Sequence, residues 1–423
     1  YDYEDVIRMS IWFYEAQRSG ELPADNRIPF RGNSALDDEG HEEEDLSGGW
    51  YDAGDYVKFN LPMASATTLL LWGMERYKDS YVATGQLDKM YDSIRWPLDY
   101  FLKCWIPEKN YYYYQVGDPV ADHAYWGRAE DMNMDRPAFK LTTSSPGSDV
   151  AGETAASLAA GSIVFKTEDS AYSEELLTAA RGLYTFAKTY QGKYPLYNFY
   201  VSSGYRDELC LAAIWLYKAT GESSYLNDAK SFVSAGVPWA LSWDSKDAAC
   251  QLLLFEETRD SIYQTNVENF MDGWVSGSSV PYTTCGLAFR DGWGSLRYSA
   301  NAAFLGLLAA EDGIKSTVYR EWAIGQVNYM LGDNKLDKSY VIGYSNNFPT
   351  NPHHASSSCP SPPATCDWST YNSQQPNAFV LYGALVGGPD INDNYVDDRK
   401  KYEYTEVTCD YNAGFQSAVA GEI

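Results

Sequence analysis

Apolar residues recur every three to four positions through most of the chain, the spacing of one face of an α-helix. No run alternates apolar and polar residues convincingly enough to predict a β-strand. The pattern predicts about twelve amphipathic helices. They cover residues 3–17, 62–77, 89–104, 150–165, 173–190, 205–219, 223–235, 245–256, 261–273, 295–310, 317–331 and 410–419.

An even number of helices that pair antiparallel suggests a closed double ring of six inner and six outer helices. With 423 residues the length alone allows one to three domains. No segment has the Ser-, Thr- and Pro-rich composition of a linker, so we expect a single domain over residues 1–423 without an appended binding module.

The charge balance narrows the range of partners. There are 58 acidic and 32 basic residues, which gives a formal net charge of -26. A surface of this sign repels phosphate backbones and anionic lipids, so we expect neither nucleic acid nor membrane partners. No apolar run approaches the roughly 18 residues that a membrane span needs. The substrate should be neutral or cationic.

Aromatic residues are abundant, with 36 Tyr and 13 Trp. Most of them are explained by an aromatic core, but some are expected to line a groove where flat rings stack on sugars.

The number of cysteines is odd, at seven, so at least one thiol is unpaired within the chain. Cys359 and Cys366 flank a Pro-rich loop and are candidates for a disulfide, whereas Cys104, Cys210 and Cys250 lie in helical patterns and are predicted to be buried free thiols.

Four long loops, over residues 23–56, 109–146, 331–375 and 387–408, carry much of the chemistry. In the first, Asp52 and Asp55 lie three residues apart in a Gly-punctuated turn before a helix. Both can point into one cleft as acid–base groups, although an aspartate before a helix is also a common N-cap.

Glu406 lies in the last of these loops, just ahead of the final helix and near three tyrosines. Apolar and aromatic surroundings raise the pKa of a carboxyl group and keep it protonated, as a general acid requires. Taken alone, a glutamate ahead of a helix is equally explained by the helix dipole.

Together the two segments resemble family 9 of the glycoside hydrolases, the endo-β-1,4-glucanases, and most of all its animal, termite-like single-domain members. The resemblance runs from residue 1 to about residue 420. Residues 52–63, 122–128 and 293–298 match characteristic segments of the family. The family's acid motif is matched at every position by Tyr395, Asp397, Tyr402, Glu406, Asn412 and Ala413.

The resemblance implies an all-α (α/α)6 barrel with long active-site loops, and a single catalytic domain. It assigns Glu406 as the general acid that protonates the leaving oxygen. Asp55 becomes the general base that activates water, with Asp52 helping to hold that water. An inverting reaction of this kind needs the two carboxyl groups about 6.5–9.5 Å apart, so that the water fits between.

The implied substrate is cellulose or a related β-1,4-glucan, held along a cleft. The resemblance places the sugar-binding groups at His123, Trp126, Tyr200, Trp239, Trp293, Arg297, His353, Asp397 and Tyr411.

One segment departs from the family pattern. The family's Pro-His-His-Arg motif ends here in alanine, at Ala355, so a sugar-binding arginine is missing. Ser345 replaces a usual glycine, and Asn351 stands where animal relatives often carry arginine. Losing a bidentate donor is expected to weaken binding by about 1 kcal/mol or more, while the proton-transfer groups remain.

A structural calcium ion is also expected. Ser203, Gly204, Asp207 and Glu208 open a helix, and Asp244 follows in a later loop. Carboxylates and backbone carbonyls are the hard oxygen ligands that Ca²⁺ prefers, although an acidic helix start explains the same residues. Resemblance to the calcium site of the family favours the metal.

The resemblance implies a secreted, monomeric enzyme, and the chain lacks a signal-type segment before the first helix, as a mature form would. A processive or mixed-linkage β-glucanase of the same family stays open. A non-catalytic carbohydrate-binding protein on the same fold is the alternative of a different class, but both Asp55 and Glu406 are present.

Overall fold

The computed structural model describes residues 1–196 and 198–423, and all twelve predicted helices are present among them. These are α1 (Tyr3–Ala16), α2 (Asn60–Arg76), α4 (Leu87–Cys104), α6 (Ser148–Val164), α7 (Ser170–Thr189), α8 (Arg206–Thr220), α9 (Ser223–Phe232), α10 (Asp247–Thr258), α11 (Ser261–Val275), α12 (Ser295–Glu311), α13 (Ser316–Leu331) and α17 (Cys409–Ala420). Short helices lie between them: α3 (Lys78–Ala83), α5 (Pro119–His123), α14 (Ala355–Ser358), α15 (Trp368–Asn372) and α16 (Tyr402–Thr405).

The long helices form a closed double ring. Helices α2, α6, α8, α10, α12 and α17 pack side by side in that order, and α17 returns to contact α2. The other six lie outside them: α1 against α17, α4 against α2, α7 against α6, α9 against α8, α11 against α10, and α13 against α12. The predicted (α/α)6 barrel is therefore confirmed.

The sequence explains which helices lie inside. All residues of α17 are buried, as are all of α12 except Glu311, and both are rich in small and apolar side chains. A helix without an exposed polar face has to be surrounded by protein. The outer helix α4 instead keeps Asp88, Asp92 and Lys103 away from the buried face formed by residues such as Ile94.

A small antiparallel sheet, which the sequence did not predict, lies beside the first helices. Among the described residues it consists of β1 (Lys58–Phe59), β2 (Trp105–Ile106), β3 (Tyr111–Val116) and β4 (Ala138–Leu141), with β3 pairing with the other three. Residues 112–116 are buried on both faces of β3, so the strand lacks the polar–apolar alternation that would have revealed it. The sheet supports the loop that carries Asp52 and Asp55, because β1 directly follows that loop.

The cysteines correct one expectation and confirm another. Cys210 and Cys250 are not free thiols but form a disulfide, because α8 and α10 are neighbours in the inner ring and bring the two Cα atoms to 6.3 Å. The predicted Cys359–Cys366 disulfide is confirmed. Cys104 is buried and free, as expected. No helix in the described part of the chain is long and apolar enough to span a membrane.

Candidate active site

The predicted catalytic residues come from loops that lead into inner helices. Asp52 and Asp55 precede α2, Tyr200 precedes α8, Trp293 precedes α12 and Glu406 precedes α17. Each inner helix except the last, α17, is followed by an outer one that runs back, and α17 is preceded in the ring by α12, so the inner helices start at the same end of the barrel. Hydrogen bonds between these loops bring the residues together there.

The loop of residues 52–55, here called the aspartate loop, is held by its backbone. The Gln17 side-chain amide donates to the carbonyls of Tyr51 (3.0 Å) and Ala53 (2.7 Å). Gly54 lies so close to the segment opposite that a Cβ atom there would be 2.1 Å from the carbonyl oxygen of His353. Only glycine allows this approach, which places the loop against the His353 segment.

Asp52 is buried and has one oxygen held by the protein. The Tyr200 hydroxyl donates to Oδ2 at 2.6 Å, whereas no described residue bonds to the buried Oδ1. Burial, and then the negative charge of Asp55, raise the pKa of Asp52 well above its usual range. Asp52 therefore keeps its proton to higher pH than an exposed aspartate.

In Asp55, as in Asp52, one carboxylate oxygen is hydrogen-bonded and the other is not. Its Oδ2 lies 2.9 Å from His123 Nε2, and its buried Oδ1 has no hydrogen-bond partner among the described residues. Burial disfavours a charged imidazole, but the hydrogen bond and negative charge of Asp55 outweigh it and raise the pKa of His123. Asp55 is thus a hydrogen-bond acceptor toward His123, with a second oxygen left to accept a proton.

Glu406 ends the short helix α16 and lies on the other side of the site. Trp293 Nε1 (3.1 Å) and Tyr411 Oη (3.2 Å) both donate to Oε1, and no described residue bonds to Oε2. Burial raises the pKa of Glu406, although the positive potential of His353 and the Trp293 hydrogen bond lower it in part. These surroundings extend the protonated form of Glu406 to higher pH than in an exposed glutamate.

His353 connects the two sides. Its backbone N–H donates to the Thr405 carbonyl at 3.0 Å, and it pairs with Glu406 as an isolated parallel bridge. Two residues on, the Ala355 backbone N–H donates to the Gly54 carbonyl at 3.1 Å. One short segment therefore touches both the aspartate loop and the strand-like backbone at Glu406, which fixes their relative position.

The predicted sugar-binding residues fall into two groups. Trp239 (50% exposed) and Trp293 (47% exposed) are partly open to solvent, and the His123 side chain is 41% exposed. His353 is half-buried, its Nδ1 bonded to the Arg399 carbonyl at 2.8 Å. These are the residues with surface free to contact a sugar.

The second group is engaged with protein. Trp126 and Tyr411 are buried, and Trp126 Nε1 donates to the Ser358 hydroxyl at 3.0 Å. Arg297 is paired with buried Asp410 at 3.3 Å. Both oxygens of Asp397 accept hydrogen bonds from the segment 350–351. In this state Asp397 shapes the loop ahead of His353, and its predicted sugar contact stays a prediction.

Ala355, where the family's arginine is missing, is buried. Its methyl group packs with Tyr51, Tyr56 and Trp126 in a small apolar cluster. No guanidinium reaches the cleft from this position. Weaker sugar binding as a result of the missing arginine stays a prediction.

The predicted calcium ligands lie on two neighbouring loops. Asp244 Oδ1 accepts from the Ser203 backbone N–H at 2.7 Å, and Asp207 Oδ2 accepts from the Lys246 backbone N–H at 2.7 Å. Glu208 is fully buried, and neither of its carboxylate oxygens has a hydrogen-bond partner among the described residues. Burial and the charge of Asp207 raise the pKa of Glu208 well above its usual range. An orphaned, buried carboxylate beside further oxygen donors fits a hard cation, although the Lys246 ammonium lies 3.6 Å from Glu208 Oε1.

Several residues that shape the site were not singled out from sequence. Asp122, next to His123, is buried with Oδ2 lacking a partner among the described residues. Burial and the charge of Asp55 raise the pKa of Asp122 to about 7. Its place within the family-like segment 122–128 was the available signal. His354 lies in the Pro-His-His segment, whereas Gln17 gave no signal because its role depends on long-range packing.

Comparisons with known proteins show which proteins this chain is similar to. The family model described as "Glycosyl hydrolase family 9" matches residues 3–419. Endoglucanase A of Bacillus pumilus is 45% identical over 99% of this chain, and the chain spans 66% of that relative's length. The structure of an endoglucanase from the termite Nasutitermes takasagoensis is 51% identical, with a TM-score of 0.97, covering 100% of this chain and 98% of that one. A cellulase of C. cellulolyticum in complex with cellobiose is 36% identical, with a TM-score of 0.94 and the same coverage.

Proposed function

The chain belongs to glycosyl hydrolase family 9, and we propose that it cleaves internal β-1,4-glucosidic bonds of cellulose and related β-glucans with inversion at the anomeric carbon. The observation that carries this proposal is that three carboxyl groups each have one hydrogen-bonded oxygen and one free oxygen. Asp52, Asp55 and Glu406 each have one oxygen held by a neighbouring side chain and one without a partner among the described residues. The free oxygens are the atoms available for proton transfer.

Glu406 acts as the general acid. Because Trp293 and Tyr411 both occupy Oε1 as donors, the proton is carried on Oε2. That proton passes to the glycosidic oxygen as the bond to the anomeric carbon breaks. The raised pKa of Glu406 favours the protonated form that this step requires.

Asp55 acts as the general base. Its free Oδ1 takes a proton from water as the water oxygen bonds to the anomeric carbon on the opposite face of the sugar. Burial and the charge of Asp55 raise the pKa of Asp52, which favours its protonated form, and the Tyr200 hydroxyl already occupies its Oδ2. We assign Asp52 the role of holding the water through its free Oδ1.

Stacking and hydrogen bonding at the cleft account for a neutral substrate. The exposed rings of Trp239 and Trp293 offer flat apolar surface for sugar faces, and the imidazoles of His123 and His353 offer polar edges. The termite and Bacillus pumilus relatives are described as endoglucanases, and a similar cellulase has been solved with cellobiose. Cello-oligosaccharides are therefore the ligands that we propose for this cleft.

We further propose that Asp207, Glu208 and Asp244, with backbone carbonyls of Ser203 and Gly204, hold a structural Ca²⁺ ion. The buried, unbonded Glu208 carboxylate supports this assignment. A bound calcium ion would neutralise these carboxylates and join the start of α8 to the loop before α10.

We propose that the 423 residues act as one secreted, monomeric catalytic domain. The first and last long helices pack against each other, with α1 lying outside the inner ring that α17 closes. Two disulfides are typical of proteins exposed to an oxidising compartment.

The decisive experiment assays Glu406→Gln and Asp55→Asn on carboxymethylcellulose and follows the product anomer by NMR on a cello-oligosaccharide. We expect each variant to lose on the order of 10²–10⁴-fold in kcat, and the wild type to release the α-anomer first. Glu403→Gln and Asp37→Asn are matched controls from the same two loop regions and should retain activity. Full activity in either catalytic variant, or an initial β-anomer, would contradict the mechanism.

A further inference from the structure

The base side of the site contains a cluster of three potential metal ligands, of which the proposed hydrolysis uses only Asp55 for proton transfer. Asp55, Asp122 and His123 each offer one ligand atom, and the three atoms lie within 4.8 Å of one another. In the described part of the chain, no other group of three His, Cys, Asp or Glu side chains brings its ligand atoms this close together. Two of the residues are adjacent in sequence at the end of α5, and the third comes from the aspartate loop.

A second observation points from this cluster to a ligand. Asp122 is buried, with only 3% of its surface exposed, and its Oδ2 has no hydrogen-bond partner among the described residues. Its other oxygen accepts from the Tyr56 backbone N–H at 3.3 Å, which fixes the carboxyl group in place. Asp55 Oδ1 is also buried without a partner there. An unsatisfied buried carboxylate oxygen is costly unless something binds to it.

We infer that Asp55, Asp122 and His123 bind one divalent transition-metal ion, of which zinc is the representative, and that this ion blocks the enzyme. Imidazole nitrogen with two carboxylates is a ligand set that suits zinc or copper, whereas calcium prefers six or more oxygens. Zinc bonds of about 2.0–2.2 Å in tetrahedral geometry separate neighbouring ligand atoms by roughly 3.3 Å. His123 Nε2 and Asp55 Oδ2 are already 2.9 Å apart, so small side-chain movements suffice.

Binding exchanges a proton for the metal. The proton shared by His123 Nε2 and Asp55 Oδ2 is released to solvent, and both atoms then coordinate the ion. The His123 side chain is 41% exposed, so the ion has an entry path from the cleft. With Asp55 coordinated, it can no longer take a proton from water. The inhibition thus rests on the proposed role of Asp55, whereas the binding does not.

The test is calorimetric titration of ZnCl2 into the full chain kept in excess Ca²⁺, which fills the separate calcium site. We expect one zinc ion per wild-type chain, and at least about tenfold weaker binding in His123→Gln and in Asp122→Asn. His123 is partly exposed, so its variant reports on binding even where the buried Asp122→Asn variant does not fold. His41→Gln, at an exposed histidine outside the site, should bind zinc like the wild type.

Parallel assays on carboxymethylcellulose separate the two proposals. Zinc should inhibit the wild type, and dilution should restore activity. Unchanged zinc affinity in His123→Gln, or loss of zinc binding in His41→Gln, would overturn the metal site even in a fully active enzyme. A wild-type chain that binds zinc with the expected variant pattern but never cleaves glucan would retain the metal site and remove the proposed function.

Discussion

Gln17 and His354 hydrogen-bond to each other inside the protein, with Gln17 Oε1 2.8 Å from His354 Nε2. His354 Nδ1 accepts from the Ser357 backbone N–H at 3.1 Å, so the proton of the neutral ring lies on Nε2 and points at Gln17. The pair joins the end of α1 to the segment that follows His353. It therefore links the aspartate loop to the backbone that borders Glu406.

Replacing Gln17 by methionine should damage both stability and catalysis. The change removes the donors to the Tyr51 and Ala53 carbonyls on either side of Asp52 and leaves buried acceptors unpaired. Each orphaned group costs about 1–3 kcal/mol, so the free energy of unfolding should fall by at least that amount. Urea unfolding and kcat on carboxymethylcellulose check this, with exposed Gln374→Met as control. A variant with wild-type stability and kcat would show that the hydrogen bonds of the Gln17 side chain have no role.

His354 should make stability depend on pH in the acidic range. Burial, and then the nearby charge of Arg31, lower the pKa of His354 to about 3, against about 6.5 for an unfolded chain. Its contribution is full above pH 6.5 and is lost as pH falls from 6.5 toward 3, because the unfolded chain then binds the proton more tightly. The slope approaches about 1.4 kcal/mol per pH unit inside that window.

The measurement is urea unfolding of the wild type and His354→Gln at several pH values. The difference in unfolding free energy between them should shrink as the pH is lowered from 6.5. Gln374→Met, an exposed change that alters no titratable group, should show the same pH dependence as the wild type. Parallel curves for wild type and His354→Gln would mean that His354 is not held neutral in the folded protein.

The helical fold was predictable because inner and outer helices differ in composition. Buried helices such as α12 and α17 consist of small and apolar residues, and outer helices such as α4 have one polar face. The strand β3 was missed, since a tyrosine-rich run buried on both faces has no period of two. The Cys210–Cys250 disulfide depends on two helices being neighbours in the ring, which local pattern does not reveal.

The candidate site, like the fold, was predictable only in part. The motif around Glu406 was predicted from sequence, because neighbouring residues such as Tyr411 are close in the chain. Partners that come from distant loops were not, as with the Tyr200 hydroxyl on Asp52, 148 residues apart. Resemblance named Asp397 as a sugar ligand, whereas its hydrogen bonds go to Thr350 and Asn351. A residue's motif membership does not specify which of its contacts are made within the protein.

Replacing Trp293 by phenylalanine should move the basic limb of the pH profile. Glu406 must be protonated to act, so activity falls as pH rises through its pKa. The Trp293 N–H stabilises the ionised carboxylate, so removing it raises the pKa of Glu406 further. The limb in kcat/KM should shift to higher pH by about half a pH unit to one pH unit.

The matched control is Trp239→Phe, which alters an exposed tryptophan that packs on Tyr298 and does not contact Glu406. Both variants lose ring surface in the cleft, so both are expected to raise KM. Only Trp293→Phe should shift the basic limb of the pH profile of kcat/KM. A shift to lower pH would show that Trp293 does not stabilise the ionised form of Glu406.

Removing calcium should lower the melting temperature without abolishing the fold. The proposed ion binds the folded chain through Asp207, Glu208 and Asp244, so it stabilises by mass action. At a free concentration 100 times Kd the gain is about 2.7 kcal/mol, or about 3 °C in Tm for a chain of this length. Differential scanning calorimetry before and after treatment with EGTA measures the change, and elemental analysis counts the metal.

The same experiment on Asp244→Asn isolates the site. This variant weakens the hydrogen bond to the Ser203 backbone and removes a carboxylate ligand, so its Tm should be lower and should respond little to EGTA. Asp37→Asn, an exposed change elsewhere, should keep the wild-type response. If undialysed wild-type protein holds no calcium and its Tm is indifferent to EGTA, the buried Glu208 carboxylate must instead be neutralised by its own proton and by Lys246, 3.6 Å away.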